Sequence, residues 1–169
     1  MDAARAAFDQ QGTTVSLEEI ARKAGVGIGT LYRHFPTRDL LIADVYRNEA
    51  AKLAAAAQDL AATKPPLDAL RAWLLLFVDY LATKLILAEA FKSMVGDTSR
   101  LTAASGDLLT QAISLLVERG VETGDISRES LDPVDLLRAL TGVAMAGAGP
   151  DWDAAARHMV DVLIRGLRN

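Results

Sequence analysis

Hydrophobic residues recur three and four positions apart along most of the chain, and this spacing predicts helices rather than strands. Alanine and leucine abound, whereas aromatic residues and β-branched alternation are sparse. Glycine and proline interrupt the pattern, so the intervals between them indicate about nine helices. The predicted helices cover approximately residues 2–11, 17–24, 28–35, 38–62, 67–84, 85–94, 100–123, 134–146 and 152–167. We therefore expect an all-α protein.

The second and third predicted helices are short and are joined by a glycine turn. Ser16 and Glu19 have the spacing of a capping box, in which the serine accepts from the third N–H and the glutamate reaches back. Gly25 stands where a left-handed residue ends a helix, and Gly27 lets the chain turn again. Pro36 closes the third helix. Two such helices form a helix-turn-helix, which places its second helix in the DNA major groove.

The outward face of the third helix carries small, hydroxyl, aromatic and basic groups. Glycines at its start permit close backbone approach, and its N-terminal amides attract phosphate. Thr30 can meet a base edge or a thymine methyl, while Tyr32 and His34 can donate to phosphates. Alternatively, His34 makes a structural hydrogen bond and Tyr32 packs in an apolar cluster. The candidate DNA-binding residues from this face and the following turn are Gly27, Gly29, Thr30, Tyr32, Arg33, His34 and Arg38.

The segment SLEEIARKAGVGIGTLYRHFPTRDLL resembles the DNA-binding domain of the TetR family of bacterial transcriptional regulators. The resemblance lies in an I-A-x-x-A-G-V run, a G-T-L-Y-x-H-F run, a basic residue three positions after the phenylalanine, and L-L. It covers about residues 1–47, and the plan of about nine helices fits the whole chain. The later stretch LDALRAWLLLFVDYLATK followed by LAEAF resembles, less specifically, the ligand-binding part of one subgroup.

The resemblance implies a role for individual residues. Ser16 would lie at the phosphate-facing start of the second helix, and Thr30 would face bases. Tyr32, His34 and Arg38 would contact backbone phosphates. The sequence departs from the family at two places. A glycine, at position 27, replaces a more usual serine or threonine, and the basic arm that commonly precedes the first helix in this family is missing.

We divide the chain into a DNA-binding domain, residues 1–46, and a ligand-binding and dimerisation domain, residues 47–169. Large or soft apolar side chains suit a small-molecule pocket. The pocket candidates are Trp73, Phe77, Tyr80, Phe91, Met94 and Met145. Apolar stripes on the last two helices suit a symmetric dimer. The dimer candidates are Leu136, Leu140, Val143, Met159, Leu163 and Leu167. Each of these residues could instead belong to the ordinary core, because periodicity does not separate the two.

The charge of the chain is unusual for a DNA-binding protein. The net charge is −4, and residues 1–47 contain equal numbers of basic and acidic groups. Because phosphate contacts dominate affinity for DNA, a single DNA-binding domain without net charge should bind weakly. Two such domains in a dimer would double the contacts. The chain has no cysteine and therefore no disulfide.

Sequence motifs for catalysis are missing. There is no Gly-x-Ser-x-Gly elbow, no phosphate-binding glycine loop and no zinc-like cluster around the two histidines. We expect no enzyme activity, no cofactor and no metal. No uninterrupted stretch of apolar residues is long enough to span a membrane, and the N-terminal residues do not resemble an export signal. We therefore expect a cytoplasmic protein.

The sequence therefore predicts a ligand-responsive transcriptional regulator. We expect a repressor that binds a palindromic operator in double-stranded DNA as a homodimer and is released by a small-molecule effector. The alternative is an all-helical small-molecule-binding protein without DNA-binding activity. The zero net charge of residues 1–47 favours this alternative.

Overall fold

The computed structural model describes residues 1–93, 98–127, 132–146 and 151–168. Within these ranges the chain forms eight α-helices and one short 3-10 helix, η1. The helices are α1 Asp2–Gln11, η1 Gly12–Thr14, α2 Leu17–Ala24, α3 Ile28–His34, α4 Arg38–Thr63, α5 Pro66–Ser93, α6 Thr98–Glu122, α7 Pro133–Ala146 and α8 Trp152–Leu167. The prediction of an all-α fold is confirmed, and the number of helices is close to the nine expected.

One difference from the sequence prediction lies in α5. The sequence suggested separate helices over 67–84 and 85–94, but the structure has one continuous helix from Pro66 to Ser93. The junction at Lys84 and Leu85 contains neither glycine nor proline, so nothing in the backbone forces a break there. The helix begins at Pro66. Proline suits this position because the N–H groups of the first turn have no acceptor within the helix, so its missing N–H costs no hydrogen bond.

The chain divides into two compact units. One consists of Met1–Glu49 and Ala82–Ser105, and the other of Ala50–Leu81 and Gly106–Asn169. The core of the first unit includes Phe8, Ile20 and Leu41, each at most 1% exposed. Burial of such a side chain contributes roughly 1.5–3 kcal/mol, which holds the short helices α1, α2 and α3 together.

In the second unit the largest buried side chain is Trp73 of α5. Its indole Nε1 donates to the carbonyl oxygen of Leu53 in α4 at 2.8 Å. Its ring stacks on Phe77 with centroids 5.9 Å apart, and Phe77 stacks on Tyr80 at 6.0 Å. A run of three buried aromatic rings therefore lines the inner face of α5.

The end of α6 packs tightly against the segment that follows it. A Cβ on Gly120 would lie 2.5 Å from Cδ1 of the buried Ile126, so no larger residue fits there without movement. Ile126 also pairs with Arg168 in an isolated antiparallel bridge. In the part of the chain that the structure describes, no helix combines the length and apolar character required to cross a bilayer.

Candidate nucleic-acid interface

Helix α2 begins and ends with the capping groups that its sequence predicted. The Ser16 hydroxyl accepts from the backbone N–H of Glu19 at 3.1 Å. At the other end Gly25 adopts the left-handed conformation, with φ 68° and ψ 26°. Its N–H donates to Arg22, and the N–H of Val26 donates to Ala21, which together form a Schellman motif. Both ends of α2 are thus fixed by short-range hydrogen bonds.

The Glu19 side chain has partners other than those expected of a capping box. Its Oε1 accepts from Nε2 of Gln11 at 2.5 Å and lies 3.6 Å from Nζ of Lys23. The hydrogen bond from Gln11 is the main reason that the pKa of Glu19 lies below its usual value. The carboxylate therefore ties the end of α1 to α2.

Helix α3 follows at the angle set by the turn. Gly27 caps it in an extended conformation, and its carbonyl accepts from the N–H groups of Thr30 and Leu31. Leu31 is the buried residue of α3, whereas the Tyr32 side chain is 45% exposed. One face of α3 therefore packs inward through Leu31, and the opposite face is open to solvent.

The open face carries most of the predicted DNA-binding residues. Thr30 is half-buried, and its Oγ1 lies 3.4 Å from Nη2 of Arg33, a long contact. The exposed predicted residues are Ser16, Gly27, Gly29, Tyr32, Arg33 and His34. The folded chain thus leaves hydroxyl, phenol, imidazole and guanidinium groups open to solvent on and near α3.

Arg38 is placed differently from the other candidates. It is half-buried, and its guanidinium donates to the backbone carbonyls of Thr13 and Val15. The guanidinium carbon also lies 5.8 Å from the centroid of the Phe8 ring. A phosphate contact by Arg38 stays a prediction, but the side chain already has protein partners in this structure.

The apolar residues around the turn between α2 and α3 are Val26, Ala24, Ile20, Ala21 and Leu31. The last three are buried, but Ala24 is exposed and the Val26 side chain is 40% exposed. Ala24 and Val26 lie directly on either side of Gly25, where the left-handed conformation ends α2. Two apolar side chains, Val26 and Ile28, are exposed beside the start of α3, and the sequence pattern did not indicate this.

The predicted pocket residues do not share one environment. Trp73, Phe77 and Tyr80 are buried in the aromatic run of α5, while Met145 on α7 is 70% exposed. The side chain of Phe91 and the whole of Met94 lie outside the described residues. The structure therefore leaves the predicted pocket as a prediction.

Two open clefts lie on the second unit. One, of about 380 Å³, is lined by Pro65, Leu67, Asp68, Gly124, Asp125 and Arg168. The other, of about 280 Å³, is lined by Ala54, Ala55, Gln58, Leu108, Gln111, Ala112 and Leu115. Within the described ranges, no group of three histidine or acidic side chains is arranged to hold a metal ion.

The predicted dimer residues fall into two groups. Leu136, Leu140 and Leu167 are buried inside the single chain, whereas Val143, Met159 and Leu163 are half-buried. The exposed positions on α7 and α8 are different residues. They include Gly142, Met145, Ala155, Val162 and Gly166. Periodicity did not identify which side of α7 and α8 faces outward, and a dimer contact through these helices stays a prediction.

Comparison with known proteins gives concordant results for both parts of the chain. Residues 1–45 match the family described as bacterial regulatory proteins, tetR family. Residues 65–169 match the family described as transcriptional regulator SbtR-like, C-terminal domain. No curated protein sequence gives a significant match to the chain.

Several solved structures resemble the chain over nearly its whole length. A TetR transcriptional regulator from Streptomyces coelicolor is 40% identical, with a TM-score of 0.87 over 99% of this chain and 95% of that one. A TetR transcription regulatory protein from Mycobacterium vanbaalenii is 26% identical, with a TM-score of 0.79 over 99% and 92%. A TetR family regulator from Thermus thermophilus, at 22% identity and a TM-score of 0.64 over 99% and 98%, shares the fold.

Proposed function

Because the chain belongs to the TetR family of bacterial transcriptional regulators, we propose that it is a repressor that binds a palindromic operator as a homodimer. A small-molecule effector would release it from the DNA. Residues 1–46 would form the DNA-binding domain, and residues 47–169 would bind the effector and the second subunit. The observation that carries this proposal is the exposed polar face of α3, supported by a well-capped α2.

The proposed contacts follow from which groups α3 exposes. Tyr32, His34 and Ser16 would donate to phosphates. Thr30 would meet a base edge, and Arg33 has the fork geometry that reads guanine in the major groove. The exposed methyl groups of Val26 suit a thymine methyl.

Dimerisation follows from the outward faces of α7 and α8. Gly142, Ala155 and Gly166 are small and exposed, so a second helix can approach closely, and Met145 and Val162 add apolar surface. The half-buried Val143, Met159 and Leu163 would border the contact. A twofold dimer would set the two α3 helices about 34 Å apart, in successive major grooves.

The dimer would have two conformations that differ in the distance between its DNA-binding domains. The effector would bind one of these conformations more tightly than the other. A ligand shifts such an equilibrium only through this difference in affinity. We place the effector site in the domain that contains the aromatic run Trp73, Phe77 and Tyr80. Under this proposal, some of these three rings contact the ligand in addition to packing in the hydrophobic core.

The direct test is DNA binding by the full chain to the region upstream of its own gene. Fluorescence anisotropy on a labelled fragment would compare the wild type with Tyr32→Ala and with Leu108→Ala, a matched truncation at an exposed site of α6. Tyr32→Ala should weaken binding about tenfold or more, because the dimer loses two hydrogen bonds worth about 1 kcal/mol each. Leu108→Ala should have no effect.

A second candidate function is favoured by the balanced charge of residues 1–47. In that case the protein binds a small molecule but not DNA. An absence of sequence-specific binding to any fragment selected from the genome would support this alternative. If binding is specific but unchanged by Tyr32→Ala, the proposed regulator function stands and the proposed contact between Tyr32 and a phosphate is wrong.

A further inference from the structure

Arg38 reaches from the first turn of α4 back to the segment between α1 and α2. Its Nη1 donates to the carbonyl oxygen of Val15 at 2.6 Å, and its Nη2 donates to that of Thr13. These acceptors lie 23 and 25 residues earlier in the chain. The flat guanidinium also lies near the Phe8 ring, a favourable position for a cation.

The acceptors belong to the segment that starts α2. Thr13 is in η1, a 3-10 helix of three residues, and Val15 is the buried residue directly before Ser16. Ser16 in turn caps α2 through the N–H of Glu19. Fixing the Thr13 and Val15 carbonyls therefore fixes the point and direction from which α2 begins. Because α3 packs on α2, it also fixes where the exposed face of α3 points.

We propose that Arg38 is a positioning residue for the helix-turn-helix and that it does not bind a DNA phosphate. This inference rests on the proposed function, since it concerns how DNA-contacting residues are held. A guanidinium has N–H donors in a rigid planar fork and can bond two separate carbonyls at once. A lysine has the same charge but cannot keep this two-point geometry.

A second contact between α4 and α1 makes the arrangement stiffer. The Arg5 side chain of α1 lies with its Nε 3.2 Å from Oε2 of Glu49, whose side chain is only 10% exposed. The first three turns of α4 are thus connected to α1 by an ion pair and to the start of α2 by Arg38. A displacement of these turns is passed directly to the cap of α2.

Two substitutions separate positioning from phosphate binding. Arg38→Lys keeps the positive charge, and Arg38→Met removes it. If Arg38 positions α2, both variants should lose DNA affinity about tenfold, the loss expected for hydrogen bonds worth about 1.4 kcal/mol in total. The slope of log affinity against log salt should stay that of the wild type, because no phosphate contact is lost.

The opposite result would overturn the inference. If Arg38 neutralises a phosphate, Arg38→Met reduces the salt slope by about 0.9 for each contact, or about 1.8 for a dimer, while Arg38→Lys keeps most of the affinity. Arg33→Met and Arg33→Lys provide the matched control on the exposed face of α3. We expect Arg33→Met to lose more DNA affinity than Arg33→Lys, because Arg33 is proposed to contact DNA through its charged group.

Hydrogen exchange of the free protein tests the positioning role without DNA. Arg38→Met and Arg38→Lys should speed exchange of the Glu19 and Ile20 amides, with exchange in α8 unchanged. Ile164→Val, a mild core change in α8, should not produce that local pattern. Unchanged protection at Glu19 and Ile20 overturns the inference even if no DNA is bound. Faster local exchange together with no DNA binding by the wild type would instead refute the proposed function alone.

Discussion

Two glycines, Gly27 and Gly29, leave the surface at the start of α3 bare. Gly27 has an ordinary φ of −69°, so its backbone does not require glycine. A Cβ on Gly29 would meet nothing within 4 Å, and one on Gly27 would lie 4.0 Å from Oγ1 of Thr30. Because the folded chain has room for side chains at both positions, their absence fits close approach by a partner from outside.

Replacing Gly29 with alanine should change stability and DNA affinity in opposite directions. Alanine in a helix is favoured over glycine by roughly 0.5–1 kcal/mol, so Gly29→Ala should raise the free energy of unfolding in chemical denaturation. The added methyl should weaken DNA binding measured by anisotropy. A variant that is more stable and binds DNA as well as the wild type would show that the backbone does not approach DNA at Gly29.

Replacing Gly27 with serine should supply the cap that α3 lacks. A serine hydroxyl there can accept from the N–H of Thr30, which should raise the free energy of unfolding by a few tenths of a kcal/mol. Gly27→Ala is the control and should lower stability, because alanine is a poor N-cap. Equal stability of the two variants in urea unfolding would contradict the capping role.

Residues with local partners were predictable, and residues with distant partners were not. Ser16 and Gly25 act through hydrogen bonds to atoms within five residues, so the sequence spacing alone indicated their roles. Arg38 bonds carbonyls more than twenty residues away. Since every residue but proline offers the same carbonyl and N–H groups, no pattern of side chains could indicate that choice.

At the level of helices, the sequence predicted starts and ends better than faces. The bounds of α1 and α8 agree with the expectation, and α5 continues where a break was expected. Leu136 and Leu140 were expected at a dimer contact, yet they lie in the core of the single chain. A stripe of apolar residues shows that a face is buried, but it does not show whether the same chain or a second copy covers it.

The pairing of α5 with α4 should depend on the indole N–H of Trp73. Trp73→Phe removes the hydrogen bond to the Leu53 carbonyl and replaces a fully buried indole with a smaller ring, which together should cost about 1–3 kcal/mol in the free energy of unfolding. Trp152→Phe is the control, because Trp152 is only half-buried on α8. Similar losses for both variants in chemical denaturation would contradict a special role of the Trp73 bond.

The pairing of α5 with α8 should give the protein part of its acid sensitivity. Arg71 Nε lies 2.8 Å from Oδ1 of Asp161, and this hydrogen bond lowers the pKa of the Asp161 carboxyl below 3.8. A carboxyl with a lowered pKa in the folded state stabilises the fold above its unfolded pKa. That contribution is lost as the pH falls through the lower, folded value.

Asp161→Asn should therefore lower the thermal midpoint slightly at pH 7. The difference from the wild type should disappear once the pH is well below 3.8, where the wild-type carboxyl is also neutral. Asp107→Asn, at an exposed site of α6, is the matched control and should not alter the pH profile. A difference that persists unchanged in acid would mean that the Arg71 pair is not its source.

At the scale of the whole molecule, the proposed function depends on a second copy of the chain. A charge on the exposed face of α8 should disrupt the proposed dimer, because an apolar contact cannot solvate it. Val162→Glu should sediment as a monomer and lose DNA affinity at concentrations where the wild type is dimeric. Leu115→Glu, at a similarly exposed site of α6, should remain dimeric. A dimeric Val162→Glu protein would place the interface elsewhere.

The charge of the sequence also favours the proposed dimer over a single subunit. Residues 1–47 have no net charge, so long-range attraction to phosphate should be weak, and the proposed binding would depend on matched contacts from the DNA-binding domains of two subunits. Neither the operator nor the effector can be inferred from the chain, because both depend on side-chain arrangements that a linear pattern does not encode.

Helix α3 has only seven residues, and Leu31 is its one buried side chain. Isolated helices of this length do not persist in water, so a single leucine and its neighbours must keep the proposed DNA-contacting surface helical. Such a segment frays at a lower temperature than a core that contains Trp73 and Ile113. Warming should therefore loosen the hold on DNA before the protein itself denatures, which would make gene control by this regulator sensitive to heat.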